Sequence, residues 1–516
     1  MDQHMYKALK DESPIHYANR IGELYTQSST NISKKEKGQF FTPNAIAEFM
    51  ANQVDISILP KNVNILDPGC GSGVLSCALI ERLSKKDKFS SIHVDAYETD
   101  LNIISITESV YRYLGVWLND HGIKFSFTLF TSDFVLDNYA YLYAPALAPY
   151  DIIISNPPYF KLSKESKQSK AAALIADGQV NIYSIFMAIS ASLLKGNGQL
   201  IFIVPRSFAS GRYFRKFRTF FFKTVCLKFV HLFNTRKDTF ARDNVLQETI
   251  IIKCDQDKAY NDEVVISYSY GLNDLRNTIK QRYPLLDIID MNSSEKILFL
   301  PINESENKTL NLFKSWTGSL NAYNIQISTG PVVAYRSQEY ISEKNSCSNK
   351  YTPLYWLHNV VKMLVEHPMC KERKGQYILV SDNTKSILLP NKNYIFLRRF
   401  SSKDDNSRLI AAPYFGNMTQ YPVVGVENKL NYIYRPKGHL SRFEIMGLAA
   451  LLNSKLFDTY FRTFNGNINV SATELRNMQL PPIEIIQEIG KELILINNFS
   501  IENINFVINK YFNIYD

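Results

Sequence analysis

A chain of 516 residues exceeds one ordinary hydrophobic core, so two domains are expected. With 45% hydrophobic and 21% charged residues it reads as a globular protein, and the absence of any run of 18 apolar residues argues against a membrane span. The opening MDQHMYKALKDE lacks the apolar stretch of a signal peptide, which sets the expectation of a cytoplasmic protein. The six cysteines, at positions 70, 77, 226, 254, 347 and 370, form no CxxC pair and no cluster with the eight histidines; neither a disulfide framework nor a metal site is expected. An excess of 58 Lys and Arg over 49 Asp and Glu gives a formal charge of +9, compatible with a polyanionic partner.

The first half alternates two periodicities. NVNILDP (62–68) is strand-like, GVLSCALIERLSKK (73–86) carries Leu75, Leu79 and Leu83 at helical spacing, and SIHVDAYETD (91–100) is strand-like again. A helix is expected over 101–119, strands over 124–134 and 151–155, a helix over 181–195, then a GNGQ turn and a strand over 200–205. Strands alternating with helices of this length predict an α/β fold: a doubly wound, mostly parallel Rossmann-like sheet. The rhythm fades after the polar stretch 255–263. The expected organisation is therefore a catalytic domain over 1–255, a connecting segment over 256–310, and a second, mixed domain over 311–516 in which turn-rich segments separate short aromatic runs.

The first strand runs into DPGCGSG, from Asp67 to Gly73. Glycines at a strand-to-helix turn let the backbone approach a ligand where a Cβ would collide. A phosphate-binding P-loop needs Lys and Ser/Thr after its last glycine, and Val74-Leu75 supplies neither; a dinucleotide fingerprint needs glycine at 74. Gly69 and Gly71, with an acid two residues before them, suit a compact adenosyl ligand such as S-adenosyl-L-methionine, whose ammonium end Asp67 would face. Glu98 ends the second strand, where a carboxylate can accept both ribose hydroxyls. Asp133 and Phe134 end the third, where an acid can take the adenine amino group while a ring stacks on its face.

The fourth strand, DIIIS, stops at Asn156-Pro157-Pro158-Tyr159. Proline fixes its own φ and restricts the residue before it, so this tetrapeptide is a rigid hook. An exocyclic amine on a ring is a poor nucleophile because its lone pair is delocalised. If the Asn156 side-chain oxygen and the Pro157 carbonyl each accept one N–H, the nitrogen is drawn toward tetrahedral geometry and its lone pair points at a methyl donor. Tyr159 would stack on the ring, and Asn156 would also line the cofactor site. A base inside a duplex cannot reach such a hook without flipping out.

The ordered set resembles the gamma-class DNA adenine-N6 methyltransferases, and more closely the PstI/AccI-like (TaqI-class) type II modification methylases. KGQFFTPNAIAEFM (37–50) is similar to the family's N-terminal motif, which places Thr42 and Pro43 against the methionine part of the cofactor. DPGCGSG, YETD, TSDF and NPPY follow in the gamma-class order, and Phe240 stands at the position of the family's second base-stacking aromatic, opposite Tyr159. ISTGPVVAYR (327–336), LPNKNYIFLRRFSSKDDNSRLIAAPY (389–414), ENKLNYIYR (427–435) and GNINVSATELRNMQLPP (466–482) resemble the family's C-terminal target-recognition region. The resemblance implies a site-specific methyltransferase acting on the N6 of a flipped adenine in duplex DNA, monomeric and serving a restriction-modification system with a separately encoded endonuclease. Arg206, Arg212, Arg215, Lys216 and Arg218 are candidates for phosphate contact near the base. Arg398, Arg399, Lys403, Arg435, Lys437 and Arg442 are candidates in the second domain.

Two other readings remain open from sequence. A methyltransferase for protein glutamine or RNA adenine would use the same hook, although such families generally lack a matching second domain. A non-catalytic DNA-binding specificity subunit would not need Asn156, Tyr159 and Asp67 intact. A fused nuclease is not expected, because Glu372-Arg373-Lys374 has no convincing acidic partner upstream.

Overall fold

A computed structural model describes residues 7–28, 42–144, 147–178, 180–233, 248–257, 263–343, 350–369, 374–401 and 405–514. The chain divides into two compact units, Met1–Ile302 and Asn303–Asp516.

The first unit is built on one nine-stranded sheet. Its strands are β1 (Asn62–Pro68), β2 (Ser91–Tyr97), β3 (Lys124–Phe130), β4 (Tyr150–Ser155), β5 (Leu194–Pro205), β6 (Cys226–Phe233), β7 (Thr249–Asp255), β8 (Glu263–Ser269) and β9 (Ile279–Pro284). They lie in the order β3-β2-β1-β4-β5-β7-β6-β8-β9. The pairs β1–β2, β2–β3, β1–β4, β4–β5 and β6–β8 are parallel, whereas β7 runs antiparallel to both β5 and β6. This is the expected mostly parallel α/β sheet. Strand β4 is apolar on both faces because helices cover both: Ile152, Ile153 and Ile154 are fully buried, with Ile153 in one core cluster and its two neighbours in the other.

The expected helices form at Val74–Ser84, Leu101–Asn119 and Ile182–Ser192. Asp100 starts the second by accepting from the Asn102 amide, the usual work of an N-cap. Two expectations need correction. The stretch containing GNGQ is not a free turn but continues β5, which runs from Leu194. The region taken as a connecting segment supplies β8 and β9, so the sheet extends beyond residue 255 and the compact unit ends at Ile302. Polar side chains hid β9: Lys280, Gln281 and Arg282 are exposed, as suits an edge strand.

The second unit holds an antiparallel four-stranded sheet made of Gln326–Thr329, Leu430–Tyr434, Tyr394–Arg398 and Ala411–Tyr414, and a five-stranded mixed sheet. Its longest helix, Ile483–Ile496, packs against Arg442–Asn453, and Gly447 and Gly490 allow their close approach: a Cβ on Gly447 would fall 1.9 Å from the Ile486 carbonyl. Among the described residues no helix is long and apolar enough to cross a membrane.

Candidate active site

In a parallel sheet the carboxyl ends of the strands collect ligands, and the strand order of this sheet reverses between β1 and β4. The chemistry-bearing residues gather at that edge. Backbone bonds lace the strand ends together: the Gly69 and Cys70 amides donate to the Tyr97 carbonyl at 2.9 and 3.0 Å, and the Glu98 amide donates to Phe130 at 3.0 Å. Ser155 Oγ donates to the Pro68 carbonyl at 2.6 Å, tying the end of β4 to the end of β1.

Gly69 and Gly73 sit at φ +78° and +82°, where an L side chain is strained, and a Cβ on Gly73 would meet the Tyr111 ring at 3.1 Å. Asp67 is fully buried below this turn. Its Oδ2 accepts from Ser76 Oγ at 2.6 Å, and Ser76 in turn accepts from the Tyr111 hydroxyl at 3.1 Å. Asp67 Oδ1 is buried without a hydrogen-bond partner. Desolvation pushes the Asp67 carboxyl up from the ordinary 3.8 to about 7. A buried acid with one orphaned oxygen is short of a hydrogen-bond donor, and the ammonium of S-adenosyl-L-methionine would supply one.

Glu98 is also buried, and desolvation raises its pKa. One oxygen accepts from the Asp100 amide at 2.8 Å and the other from the Gly71 amide at 3.2 Å, leaving each an acceptor position for a ribose hydroxyl. Asp133 caps the helix Phe134–Asn138 through the Leu136 amide and accepts from Gln168 Nε2 at 2.7 Å. Phe134 differs from expectation. It is 1% exposed, edge-on to Tyr97 and tilted against Phe186, so it is a core ring here rather than an open stacking platform. With Asp67 Oδ1 orphaned and acids at three successive strand ends, the residues present fit the adenosyl cofactor.

Asn156 follows β4. Its Nδ2 donates to Thr42 Oγ1 at 3.1 Å, which brings the buried Thr42, just ahead of Pro43 and the helix Asn44–Ala51, to the same place. The Tyr159 hydroxyl is 2.5 Å from Asn156 Oδ1 and 2.8 Å from the Ile203 carbonyl of β5. Burial raises the phenol's pKa, so it is a donor. The Tyr159 ring is largely covered and stands edge-on to Tyr183. Phe240, the second expected base-stacking aromatic, lies outside the described residues, as does Lys403.

Several candidate DNA-contacting arginines turn out to be occupied inside the protein, and this corrects the sequence reading. Arg206 is 4% exposed and ion-paired with the equally buried Glu248 at 2.8 Å. Arg218 is fully buried and donates to the Phe208, Gly211 and Glu295 carbonyls. Arg435 forms a two-pronged pair with Glu444 at 2.9 and 3.0 Å, and Arg398 spends its Nε on the Val360 carbonyl. Arg399 donates to the Asn428 carbonyl, and Arg215 lies 3.6 Å from Asp177 and 3.8 Å from Glu295. Arg212 and Lys216 are exposed. Sequence reasoning missed Ser76, which donates to Asp67 from the next helix, Tyr111, which donates to Ser76 across 35 residues, and Gln168, which donates to Asp133 across 35 residues.

The family described as Eco57I restriction-modification methylase matches residues 125–240. The type II methyltransferase M.BsuBI of Bacillus subtilis is 34% identical over 474 residues, covering 90% of this chain and 91% of that protein. M.PstI of Providencia stuartii is 29% identical, covering 92% of each. Among solved structures, the type IIL restriction-modification enzyme MmeI in complex with DNA superposes with a TM-score of 0.51 at 13% identity, over 84% of this chain and 65% of that one, a likeness of fold. On the extent and identity of these matches, the chain belongs to the type II methyltransferases of restriction-modification systems, DNA methyltransferases whose cofactor is S-adenosyl-L-methionine.

Proposed function

We propose that the protein methylates the N6 of an adenine within a specific duplex DNA sequence, after that adenine has left the helix. The observation that carries this reading is Asn156-Pro157-Pro158-Tyr159 at the end of β4, beside three acids at the ends of β1, β2 and β3. The cofactor, when bound, supplies an electrophilic methyl group on a sulfonium. Asp67 takes its ammonium, Glu98 its ribose hydroxyls and Asp133 its adenine amine, while Thr42 and Pro43 border its methionine end.

Asn156 works through orientation. Thr42 Oγ1 accepts from Nδ2 at 3.1 Å and so holds the amide with Oδ1 turned toward Tyr159, the side that receives the base. Oδ1 and the Pro157 carbonyl accept the two N–H hydrogens of the adenine amine and bring its lone pair into line with the methyl group. As the base arrives, the Tyr159 phenol gives up Oδ1 and donates to the Ile203 carbonyl alone, and its ring supports the base. Arg212, Lys216, Lys437 and Arg442 are exposed and remain candidates for DNA contact. The protein acts as a monomer alongside a separately encoded endonuclease.

Modified-base sequencing of DNA from cells expressing the protein tests the reading. N6-methyladenine at one sequence context is the expected result; methylated cytosine, or labelling of protein or RNA with none on DNA, overturns it.

A further inference from the structure

With Arg206 and Arg218 committed inside the protein, only Arg212 and Lys216 of the basic residues in 206–218 are exposed, and a duplex held at the hook calls for more positive charge beside it. The segment directly after Tyr159 supplies it. KLSKESKQSK places a lysine at every third position, Lys161, Lys164, Lys167 and Lys170, within eleven residues of the hook, against a single acid, Glu165. All four lysines are exposed. Lys170 pairs with Glu165 at 3.0 Å, and no ion pair involves the other three among the described residues.

This run is anchored where the chemistry is. Lys161 bridges to Asn181 and the Leu162 amide donates to the Val180 carbonyl at 2.8 Å, closing the base of the excursion. Ser169 Oγ donates to the Ser163 carbonyl at 2.8 Å, folding the segment on itself. Gln168, between Lys167 and Lys170, donates to Asp133 at 2.7 Å and so fixes the later part of the run at the end of β3. The run is thus pinned at its base and again near its far end to the edge of the sheet that holds the reacting groups.

We propose that Lys161, Lys164 and Lys167 form a phosphate-binding ridge that grips the DNA backbone beside the flipped nucleotide. The inference rests on the proposed action on duplex DNA and names a contact surface for it. Ammonium groups that neutralise phosphates release condensed counterions, so binding weakens with salt at a slope of about −0.9 per phosphate contact. Such contacts position the duplex and carry no sequence information.

The test is the triple variant Lys161→Gln/Lys164→Gln/Lys167→Gln of the full-length protein, compared with Lys→Arg at the same positions. A control variant, Lys85→Gln/Lys86→Gln, removes two exposed lysines at the far end of the helix Val74–Ser84, which runs back from the catalytic edge. Binding to a duplex carrying the methylated sequence is measured from about 50 to 200 mM salt, with KM for DNA, kcat and cofactor affinity. The glutamine variant should lose about 2 to 3 from the slope of log K against log salt and raise KM for DNA about tenfold or more. Its kcat, cofactor affinity and melting temperature should remain those of the wild type, the arginine variant should restore the slope, and the control should leave it unchanged. Wild-type slope and KM in the glutamine variant, in protein that otherwise binds and methylates DNA, overturn the ridge alone. Failure of the wild-type protein to bind or methylate any duplex overturns the proposed function and the ridge together.

Discussion

The Tyr159 hydroxyl donates at 2.5 Å to Asn156 Oδ1, the oxygen on which the proposed chemistry depends, and the Ile203 carbonyl lies 2.8 Å away as its alternative acceptor. One phenolic proton serves two acceptors. Because the second acceptor is main chain and fixed, Asn156 can be released without leaving the phenol unsatisfied. Tyr159→Phe keeps the ring and frees Oδ1 permanently. Its kcat should stay within a few-fold of wild type, while loss of one buried donor costs about 1 kcal/mol of stability. Tyr159→Ala removes the platform and should lower kcat/KM roughly 5- to 150-fold, the range set by about 1–3 kcal/mol of base stacking. A phenylalanine variant as impaired as the alanine variant would show that the hydroxyl itself takes part in the reaction.

Asn156→Ala should leave DNA and cofactor binding within a few-fold of wild type and reduce kcat by at least about 10² to 10³, the scale for removing one preorganised group that acts at the reacting atom. Single-turnover methyl transfer with bound complex confirmed by mobility shift measures this. Retention of a substantial rate would remove Asn156 from the chemistry.

Asp67 predicts a pH dependence with a definite sign. Burial holds its carboxyl near pH 7 in the empty protein, whereas pairing with an ammonium requires the carboxylate. Below pH 7 cofactor binding must expel a proton, so the dissociation constant should rise about tenfold per pH unit as pH falls, and flatten above pH 7. Calorimetry in buffers of different ionisation enthalpy should register that proton. Stability without cofactor runs the same way: a raised acid pKa means the folded state binds the proton more tightly, so stability falls as pH rises from about 4 to 7. Asp67→Asn should therefore abolish cofactor binding yet raise the melting temperature of the empty protein at pH 8. A pH-independent dissociation constant would contradict the pairing.

Arg206 separates a structural arginine from a DNA contact. Truncating one partner of a buried ion pair leaves the other charge uncompensated, a cost of about 3–5 kcal/mol. Arg206→Ala should lower the melting temperature markedly and leave the salt slope of DNA binding unchanged. A reduced slope with unchanged stability would return Arg206 to the DNA interface.

The legibility of the site follows from how far its physics reaches along the chain. DPGCGSG, the acid of YETD and the hook after DIIIS could be read directly, because a turn glycine, a strand-end carboxylate and a proline stop are each determined within a few residues, and β-branched alternation with helical spacing fixes the sheet that presents them. What tertiary structure alone decided is which polar groups are already spent. The partner of Arg206 stands 42 residues away, the second acceptor of Tyr159 lies 44 away, and Tyr111–Ser76 and Gln168–Asp133 each span 35 residues. A hydrogen bond or ion pair formed across such a distance leaves no periodicity in the sequence, so an arginine beside the base and an arginine locked in the core read alike until the chain is folded.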